Sequence, residues 1–215
     1  MRPTSVTISM EAADRNGIAL AQTLGGAGNL TLAGALASGG VATLDVPRKV
    51  SVYSAGNIST VVFTITGTNR YGQTISDTVT GVNNSTVLTD LDFATVTQVA
   101  ADAAVGTNVE VGSGDSASSA WIPVSSYGTG VKCGLFVRLS SGASLTYNIE
   151  HTEENPFEIR KGNIAEDASV FTHDTMSSET TSQDGNYAFP PFATRITVTG
   201  YTSGSAKFTV IQSGM

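Results

Sequence analysis

The side chains that could support hydrolytic chemistry are few, and they begin with two histidines, His151 and His173. Nucleophilic catalysis needs a serine or cysteine beside a histidine that a carboxylate orients. His151 lies at the end of a run in which apolar and polar residues alternate, and His173 is next to Asp174 in a polar stretch. No G-x-S-x-G motif marks any serine as a nucleophile. The pattern predicts a strand-end histidine and a loop histidine, with no catalytic residues and no enzymatic activity.

Metal-binding and cofactor-binding patterns are equally sparse. Neither C-x-x-C nor H-x-x-x-H spacing occurs, so a zinc site is not expected, and the phosphate-loop motif G-x-x-x-x-G-K-[ST] is absent. Three groups could contribute oxygens to calcium, although no D-x-D-x-D-G run contains them: Asp90 with Asp92, Glu153 with Glu154, and Asp184 with Asn186. We predict no metal, no cofactor and no dedicated binding residue, while a calcium ion in a loop stays an open alternative.

Two further enzymatic readings depend on single features of the sequence. Paired carboxylates for glycoside hydrolysis can lie far apart in a chain, so the sequence leaves them open. Support for a sugar-cleaving cleft is thin, because aromatic residues make up 7% of the chain and there is one tryptophan. Cys133 is the only cysteine, which excludes an intrachain disulfide, and its apolar neighbours predict a buried, inert thiol.

The charge of the chain argues against nucleic acid and membrane partners. The formal net charge is −7, and no basic cluster exceeds the pairs Arg48–Lys49 and Arg160–Lys161. A track of phosphate-binding cations is therefore not expected. The first 17 residues lack the apolar run of a secretory signal, and no stretch approaches the ~20 apolar residues of a membrane helix. We expect the protein to stay in the cytoplasm in which it is made.

The elements that would position these residues are predicted to be β-strands. Charged residues make up 13% of the chain, about half the usual share, whereas helix surfaces need Glu, Lys and Arg. Three segments repeat a strand, a Gly/Ser turn and a strand with aromatic-x-β-branched residues: Val50–Gly67, Phe136–Thr152 and Arg195–Gly214. Their period of two predicts antiparallel hairpins with Phe63/Ile65, Tyr147/Ile149 and Phe208/Val210 facing the interior. The predicted class is all-β, an antiparallel β-sandwich of jelly-roll type, as one domain or two.

Composition also suggests boundaries along the chain. Residues 113–119, at the end of the small-residue run Gly112–Ser119, read as a linker between an N-terminal β domain (1–112) and a C-terminal β domain (120–215). The Gly/Ala-rich segment 24–40 is either a short strand, Leu30–Leu32, between mobile loops or an extended arm that orders on a neighbour. Residues 153–188 form a long acidic loop with eight of the 18 acidic residues, and loops of such length tend to be functional or disordered.

Asp77 shares the inward parity of its strand, which places it at the end of the buried stripe or at a sheet edge.

Several stretches resemble segments of tailed-bacteriophage virion proteins. Phe63–Gly81 (FTITGTNRYGQTISDTVTG) is similar to a "T-I-T-G-T-x-x-x-G-x-x-I-x-[DE]-x-V" hairpin of those proteins, and Leu91–Gly112 to the strand that follows it. Tyr187–Pro190, Ala193–Thr199 and Phe208–Gly214 resemble their closing strands. The resemblance covers about half of the chain. It implies a non-enzymatic β-rich component of a phage particle, and it transfers no functional residue.

The resemblance leads to one preferred role and two alternatives. The preferred role is a capsid decoration (cement) protein, a homo-oligomer with a trimer favoured, which binds the major capsid protein or other virion proteins. A neck, head-completion or tail component is the alternative within the same class. A host-facing carbohydrate-binding or adhesin module is an alternative of another class. It would require exposed aromatic rings in one loop cluster, with Tyr71, Trp121, Tyr127 and Tyr187 as candidates.

Overall fold

The protein is built from β-strands throughout the part that the structure describes. The structure is a computed structural model, and it describes residues 2–125, 132–157 and 168–212. Every regular element in these ranges is a strand, and the strand pairs within them run antiparallel, which confirms the predicted all-β, sandwich-like class. Within the same ranges no helix has the length and apolar character needed to cross a bilayer.

The chain divides into two compact units, one of which is inserted into the sequence of the other. The inserted unit comprises Ala12–Ala117, and the discontinuous unit comprises Met1–Glu11 together with Ser118–Met215. The first strand of the chain thus belongs with the C-terminal half, whereas the sequence had placed it in a domain of residues 1–112. The physical reason is its partner: β1 (Arg2–Ser9) pairs along its whole length with β19 (Ser205–Gln212).

The inserted unit contains ten strands in two sheets. One sheet has the order β2-β11-β6-β9, and the other has the order β4-β5-β10-β7-β8 with β3 also paired to β10. The strands are β2 (Ala19–Leu24), β3 (Gly28–Asn29), β4 (Ala37–Ser38), β5 (Val41–Arg48), β6 (Val50–Asn57), β7 (Val62–Thr68), β8 (Thr74–Thr80), β9 (Asn83–Leu88), β10 (Phe93–Ala101) and β11 (Val105–Ser113).

The discontinuous unit also has two sheets. One has the order β1-β19-β14-β17, and the other has the order β12-β18-β15-β16 with β13 also paired to β18. The strands not yet located are β12 (Ala117–Ser118), β13 (Ile122–Pro123), β14 (Cys133–Leu139), β15 (Ser144–Thr152), β16 (Phe171–Thr172), β17 (Gln183–Tyr187) and β18 (Ala193–Ser203). β12 lies at the sequence junction of the two units.

Both units have the same connectivity. When the eight principal strands of each are numbered along the chain, the sheets read 1-8-3-6 and 2-7-4-5 in either unit. In the inserted unit strands 1 and 2 are β2 and β5, and in the discontinuous unit they are β1 and the short strands β12 and β13. This arrangement is the double-sheet jelly roll. The protein therefore consists of two jelly rolls. The inserted unit interrupts the sequence of the discontinuous unit between strands 1 and 2 of the latter.

The three repeated segments are corners of these sandwiches and not hairpins. In Val50–Gly67, β6 and β7 belong to different sheets; the same holds for β14 and β15 and for β18 and β19. A strand that leaves one sheet at a tight turn and enters the facing sheet has the same alternation and the same turn residues as a hairpin. The hairpin prediction was wrong for this reason. A true hairpin does connect β7 and β8, within the stretch Phe63–Gly81.

The predicted inward faces are confirmed. Phe63, Ile65, Phe208 and Val210 are fully buried, as are Tyr147 and Ile149, while the alternate residues Thr64, Asn148 and Thr209 are partly exposed. Parity depends only on the local strand geometry, which is why it survives the change from hairpin to corner.

The predicted linker is buried, and its small residues serve close packing. Gly112, Ser113 and Gly114 have little exposed surface. A Cβ on Gly112 would lie 1.8 Å from the carbonyl oxygen of Asp14, and Ser113 hydrogen-bonds to Asp14 through both its N–H (2.9 Å) and its hydroxyl (3.0 Å). The fully buried Arg48 donates to the Gly114 carbonyl. The segment is therefore part of the packed inserted unit up to Ala117.

The Gly/Ala-rich segment 24–40 is an integral part of the inserted unit and not an arm. Its strands β3 and β4 pair with β10 and β5, and the expected strand Leu30–Leu32 is not formed. The Gln22 side chain bonds both backbone groups of Thr31, at 3.0 and 2.9 Å, and Leu30 is buried. The close approach is at Gly34, where a Cβ would lie 2.2 Å from the Gly17 carbonyl group and where the N–H donates to the Ile18 carbonyl at 3.0 Å.

The long acidic segment 153–188 supplies two strands to the discontinuous unit. β16 pairs with β15, and β17 pairs with β14. The chain between β16 and β17 is hydrogen-bonded to β15 at two places. Tyr147 and Glu179 exchange two backbone hydrogen bonds, both 2.9 Å, and the Met176 carbonyl accepts from the Ile149 N–H at 2.9 Å. Residues 158–167, which carry Glu158, Glu166 and Asp167, and the basic pair Arg160–Lys161 lie outside the described residues.

Candidate functional site

A groove in the discontinuous unit brings together both histidines of the chain. Its volume is about 1340 Å³. It is bounded by the end of β15, by β16 and β17, and by the chain that follows β13 and β17. The lining residues are Pro123, Val124, Ser125, His151, Glu153, Phe171, Thr172, His173, Asp174, Thr175, Asp184, Gly185, Asn186, Tyr187, Ala188, Phe189, Pro190, Pro191 and Phe192.

Four rings form a continuous cluster on one wall of this groove. The His151 ring stacks on Phe171 with centroids 5.8 Å apart, and it meets Tyr187 edge-on at 5.1 Å. The His173 ring lies 5.1 Å from Tyr187 on its other side. Strand pairing causes this convergence, because β16 places Phe171 opposite His151 and the His173 N–H donates to the Ile149 carbonyl at 2.8 Å. The two histidines that the sequence treated as unrelated thus contact one tyrosine.

His173 is fixed by hydrogen bonds at both of its ring nitrogens. Its Nδ1 accepts the backbone N–H of Thr175 at 3.3 Å, and its Nε2 lies 3.2 Å from the Asn186 carbonyl oxygen. A carbonyl oxygen can only accept, so Nε2 is the donor in the second bond. The ring is therefore a fixed part of the groove wall, whose hydrogen bonds tie the chain after β16 to β17.

His151 has a different environment. Its Nδ1 is buried and has no hydrogen-bond partner among the described residues. Burial lowers the pKa of His151, and the nearby His173 lowers it further, while Glu153 and Asp174 act in the opposite direction. The imidazole is thereby biased toward its neutral form in the folded protein.

The Tyr187 hydroxyl holds its ring in place within the cluster through a hydrogen bond. Its hydroxyl lies 3.0 Å from Thr194 Oγ1, which in turn donates to the Glu150 carbonyl at 2.7 Å. Burial raises the pKa of Tyr187, and the nearby Cys133 and Glu150 add to this, while the bond to Thr194 opposes it. Tyr187 is thus a neutral phenol that is fixed by hydrogen bonding and is not an acid or base near neutral pH.

Three carboxylates on the groove have no opposing cation among the described residues. Glu153, Asp174 and Asp184 are exposed side chains of the lining, and none forms an ion pair within the described ranges. No lysine or arginine is among the lining residues. The described lining therefore carries negative charge at neutral pH.

The arrangement does not assemble a nucleophile system. In the described part of the chain neither histidine is hydrogen-bonded to a carboxylate, and the one hydroxyl near a histidine, Thr175 Oγ1, lies 3.4 Å from His173 Nδ1. Likewise, no three His, Cys, Asp or Glu side chains of the described residues group closely enough to hold a metal ion.

The remaining candidates from the sequence lie in structural positions. Cys133 is buried, which confirms the expected position of the thiol, and burial raises its pKa to about 11. Asp77 lies on the edge strand β8, as one of the two readings required, and its carboxylate accepts the N–H groups of Asp90 (2.6 Å) and Leu91 (3.1 Å). Asp92 approaches Arg70 at 4.0 Å.

The aromatic candidates for carbohydrate binding that the structure describes are divided between the two units. Trp121 is buried beneath the Arg195 guanidinium, 4.4 Å from its ring centroid, and Arg195 is paired with Glu150 at 2.7 Å. Tyr71 belongs to the inserted unit, Tyr187 is partly buried in the groove, and Tyr127 lies outside the described residues. The exposed rings at the groove are instead phenylalanines.

Sequence reasoning missed the phenylalanines Phe189 and Phe192, of which Phe189 is 82% exposed. The run Tyr187-Ala-Phe-Pro-Pro-Phe192 was the available signal, since two prolines between aromatic residues cannot continue a strand and hold apolar rings in a surface turn.

No protein-family model matches the chain, and the comparison with curated proteins likewise returns no match. Function is therefore argued from the sequence motifs and the geometry described above.

Proposed function

We propose that this protein is a non-enzymatic structural component of a bacteriophage particle, and that within the particle it is a decoration protein bound to the major capsid protein lattice. It is synthesised in the cytoplasm of the bacterial host and functions in the virion. Its partners are the major capsid protein and further copies of itself, as a homotrimer.

The observation that carries this proposal is the pair of jelly rolls with identical connectivity. Double-sheet jelly rolls are a recurrent architecture of viral capsid domains. The hairpin β7–β8 and the corner β18–β19 coincide with the stretches that resemble phage virion proteins. Because unrelated functions share this fold, the motifs and the fold support the proposal together.

The surface of the discontinuous unit supports a role in association. Phe171, Phe189 and Phe192 are 49%, 82% and 41% exposed, and all three line the same groove. Contiguous exposed aromatic rings mark interaction surfaces more often than they occur by accident. A repeated shell multiplies a modest affinity per copy, so a surface of this kind is sufficient for stable decoration.

A neck, head-completion or tail component is the alternative within the same class, and copy number separates the two. Quantifying the protein against the major capsid protein in purified particles should give on the order of hundreds of copies for a decoration protein, and about twelve or fewer for a neck or tip component. A low copy number would contradict the decoration role but would still be compatible with a structural component of the particle. The mass of the purified protein by light scattering tests the trimer.

A host-facing carbohydrate-binding module is the candidate from another class. Jelly rolls are also lectin folds, and the groove combines aromatic rings with carboxylates. Its tyrosine and tryptophan candidates, however, are dispersed over both units. A glycan array with the purified protein tests this candidate directly; saturable binding of one glycan class, together with low copy number in particles, would favour it over decoration.

A further inference from the structure

We propose that the groove of the discontinuous unit binds an extended basic peptide segment, an arginine- or lysine-bearing stretch of a partner protein. The inference does not depend on the place of the protein in a virion, because it follows from the charge, the rings and the strand edges of one groove.

The sign of the ligand's charge follows from the lining. Glu153, Asp174 and Asp184 present three carboxylates without cationic partners in the described ranges. A cleft lined by charges of one sign concentrates ligands of the opposite sign. Anionic ligands such as phosphorylated peptides or acidic sugars would be repelled, whereas a guanidinium or ammonium group would gain charge-assisted hydrogen bonds.

The rings of the groove favour the same ligand. Phe171, Phe189 and Phe192 are exposed and belong to the same groove lining as these carboxylates. A guanidinium group stacks on aromatic faces, and the methylene stem of arginine or lysine packs on apolar surface while its head group stays near the acids. The combination of carboxylates and aromatic faces in one groove thus fits both parts of a basic side chain.

The strands that border the groove explain why the ligand is an extended segment and not an isolated cation. β16 ends the order of one sheet and β17 ends the order of the other, so within the described chain both lining strands are edges. Asp184 and Asn186 of β17 and Thr172 of β16 line the groove together. An extended peptide can lie along such edges, with alternate side chains directed at the acids and the rings.

The experiment measures the binding of a fluorescein-labelled octapeptide of alternating glycine and arginine to the full-length protein by fluorescence anisotropy. We expect saturable binding at low ionic strength that weakens as salt is added, because exposed charges are screened. Replacement of every arginine of the peptide by neutral citrulline should abolish most of the binding. A neutral oligosaccharide of glucose should not compete.

Variants of the protein locate the site. Glu153→Gln, Asp174→Asn and Asp184→Asn should each weaken binding about two- to fivefold. Phe189→Ala should weaken it about two- to fivefold at unchanged charge. Asp90→Asn removes one exposed carboxylate from the inserted unit, and Tyr71→Ala removes one exposed ring there; both should bind as the wild type does.

Four results would overturn the proposal. These are equal affinity for the arginine and citrulline peptides, equal loss in Asp90→Asn and the groove variants, competition by the oligosaccharide, and no binding at low ionic strength. Competition by the oligosaccharide would assign the groove to a neutral glycan instead. None of these outcomes changes the copy number in particles, so the groove and the virion role are tested separately.

Discussion

Phe63 on β7 and Phe208 on β19 fill the interiors of the inserted and the discontinuous unit without any exposed area. Deleting a buried ring removes its apolar contacts and leaves a cavity, which costs about 3–5 kcal/mol. Phe63→Ala and Phe208→Ala should therefore each lower the free energy of unfolding by about this amount, measured by denaturant unfolding. Phe189→Ala, at the exposed ring, serves as the control and should change it by less than about 0.5 kcal/mol. Equal losses at buried and exposed rings would contradict the assigned faces.

His151 gives the folded protein a pH dependence of known sign. Its pKa is lowered in the fold by burial and by His173, against the opposing effects of Glu153 and Asp174. The unfolded chain therefore takes up the proton first as the pH falls through the ordinary histidine value of about 6.5. The free energy of unfolding should decline in that window and stop declining below the lowered pKa.

The variant His151→Phe tests this dependence, because a phenyl ring can keep the stack on Phe171 while it removes both the titration and the buried Nδ1. Unfolding curves of the two proteins between about pH 7.5 and pH 5 should diverge, with the wild type losing more stability toward acid. Parallel curves for wild type and variant would show that His151 titrates alike in the folded and unfolded chain.

At the scale of the elements, the end of β11 depends on the absence of a side chain at Gly112. A Cβ there would meet the backbone of Asp14 at 1.8 Å, and backbone cannot turn aside as a flexible side chain can. Gly112→Ala should lower the free energy of unfolding by about 1–3 kcal/mol or more, as overpacking does.

Gly106 on the same strand is the matched control. No atom lies within 4 Å of a Cβ at this position. Gly106→Ala should leave the stability unchanged or raise it by up to about 1 kcal/mol, because alanine loses less backbone entropy on folding. Urea unfolding of the two variants decides the matter; a tolerated Gly112→Ala would mean that residues 112–116 are as loosely held as their composition suggested.

The sequence predicted the faces of the strands but not their partners. The reason is that a face depends on adjacent residues, whereas a partner strand lies far away in the sequence. Parity along β7, β15 and β19 is set by adjacent residues, so Phe63, Tyr147 and Phe208 could be placed inside from the sequence alone. Whether β6 and β7 share a sheet depends on β11 and β10, which pair with them from about 30 to 60 residues away in the sequence. The same limit hid the groove, because Phe171 and His151 meet only through the pairing of β16 with β15.

At the scale of the whole molecule, the two units differ in how much of the chain each requires. The inserted unit is continuous, and all its strands lie between residues 12 and 117. A fragment of residues 12–117 should therefore fold by itself and unfold cooperatively on heating. A fragment of residues 118–215 lacks β1, which leaves the edge of β19 unpaired.

Complementation tests the second fragment. Residues 118–215 alone should be aggregation-prone or partly unfolded, and a synthetic peptide of residues 2–11 should restore the native circular dichroism and cooperative melting. A peptide with Val6 and Ile8 replaced by serine is the control and should not restore them, since Ile8 is buried in the complete protein. Cooperative folding of 118–215 without the peptide would show that β1 is dispensable.

The insertion of one jelly roll into the sequence of the other also determines the order in which their strands can pair during synthesis. β1 is synthesised before the whole inserted unit, whereas its partner β19 is synthesised after that unit, since Arg2 pairs with Gln212. Domains fold as units during synthesis, so the inserted unit can be complete while β1 is still without its partner β19. A waiting strand with an apolar face would invite aggregation. The composition of β1 limits that hazard, because hydroxyl side chains occupy Thr4, Ser5, Thr7 and Ser9 and leave only Val6 and Ile8 as aliphatic residues.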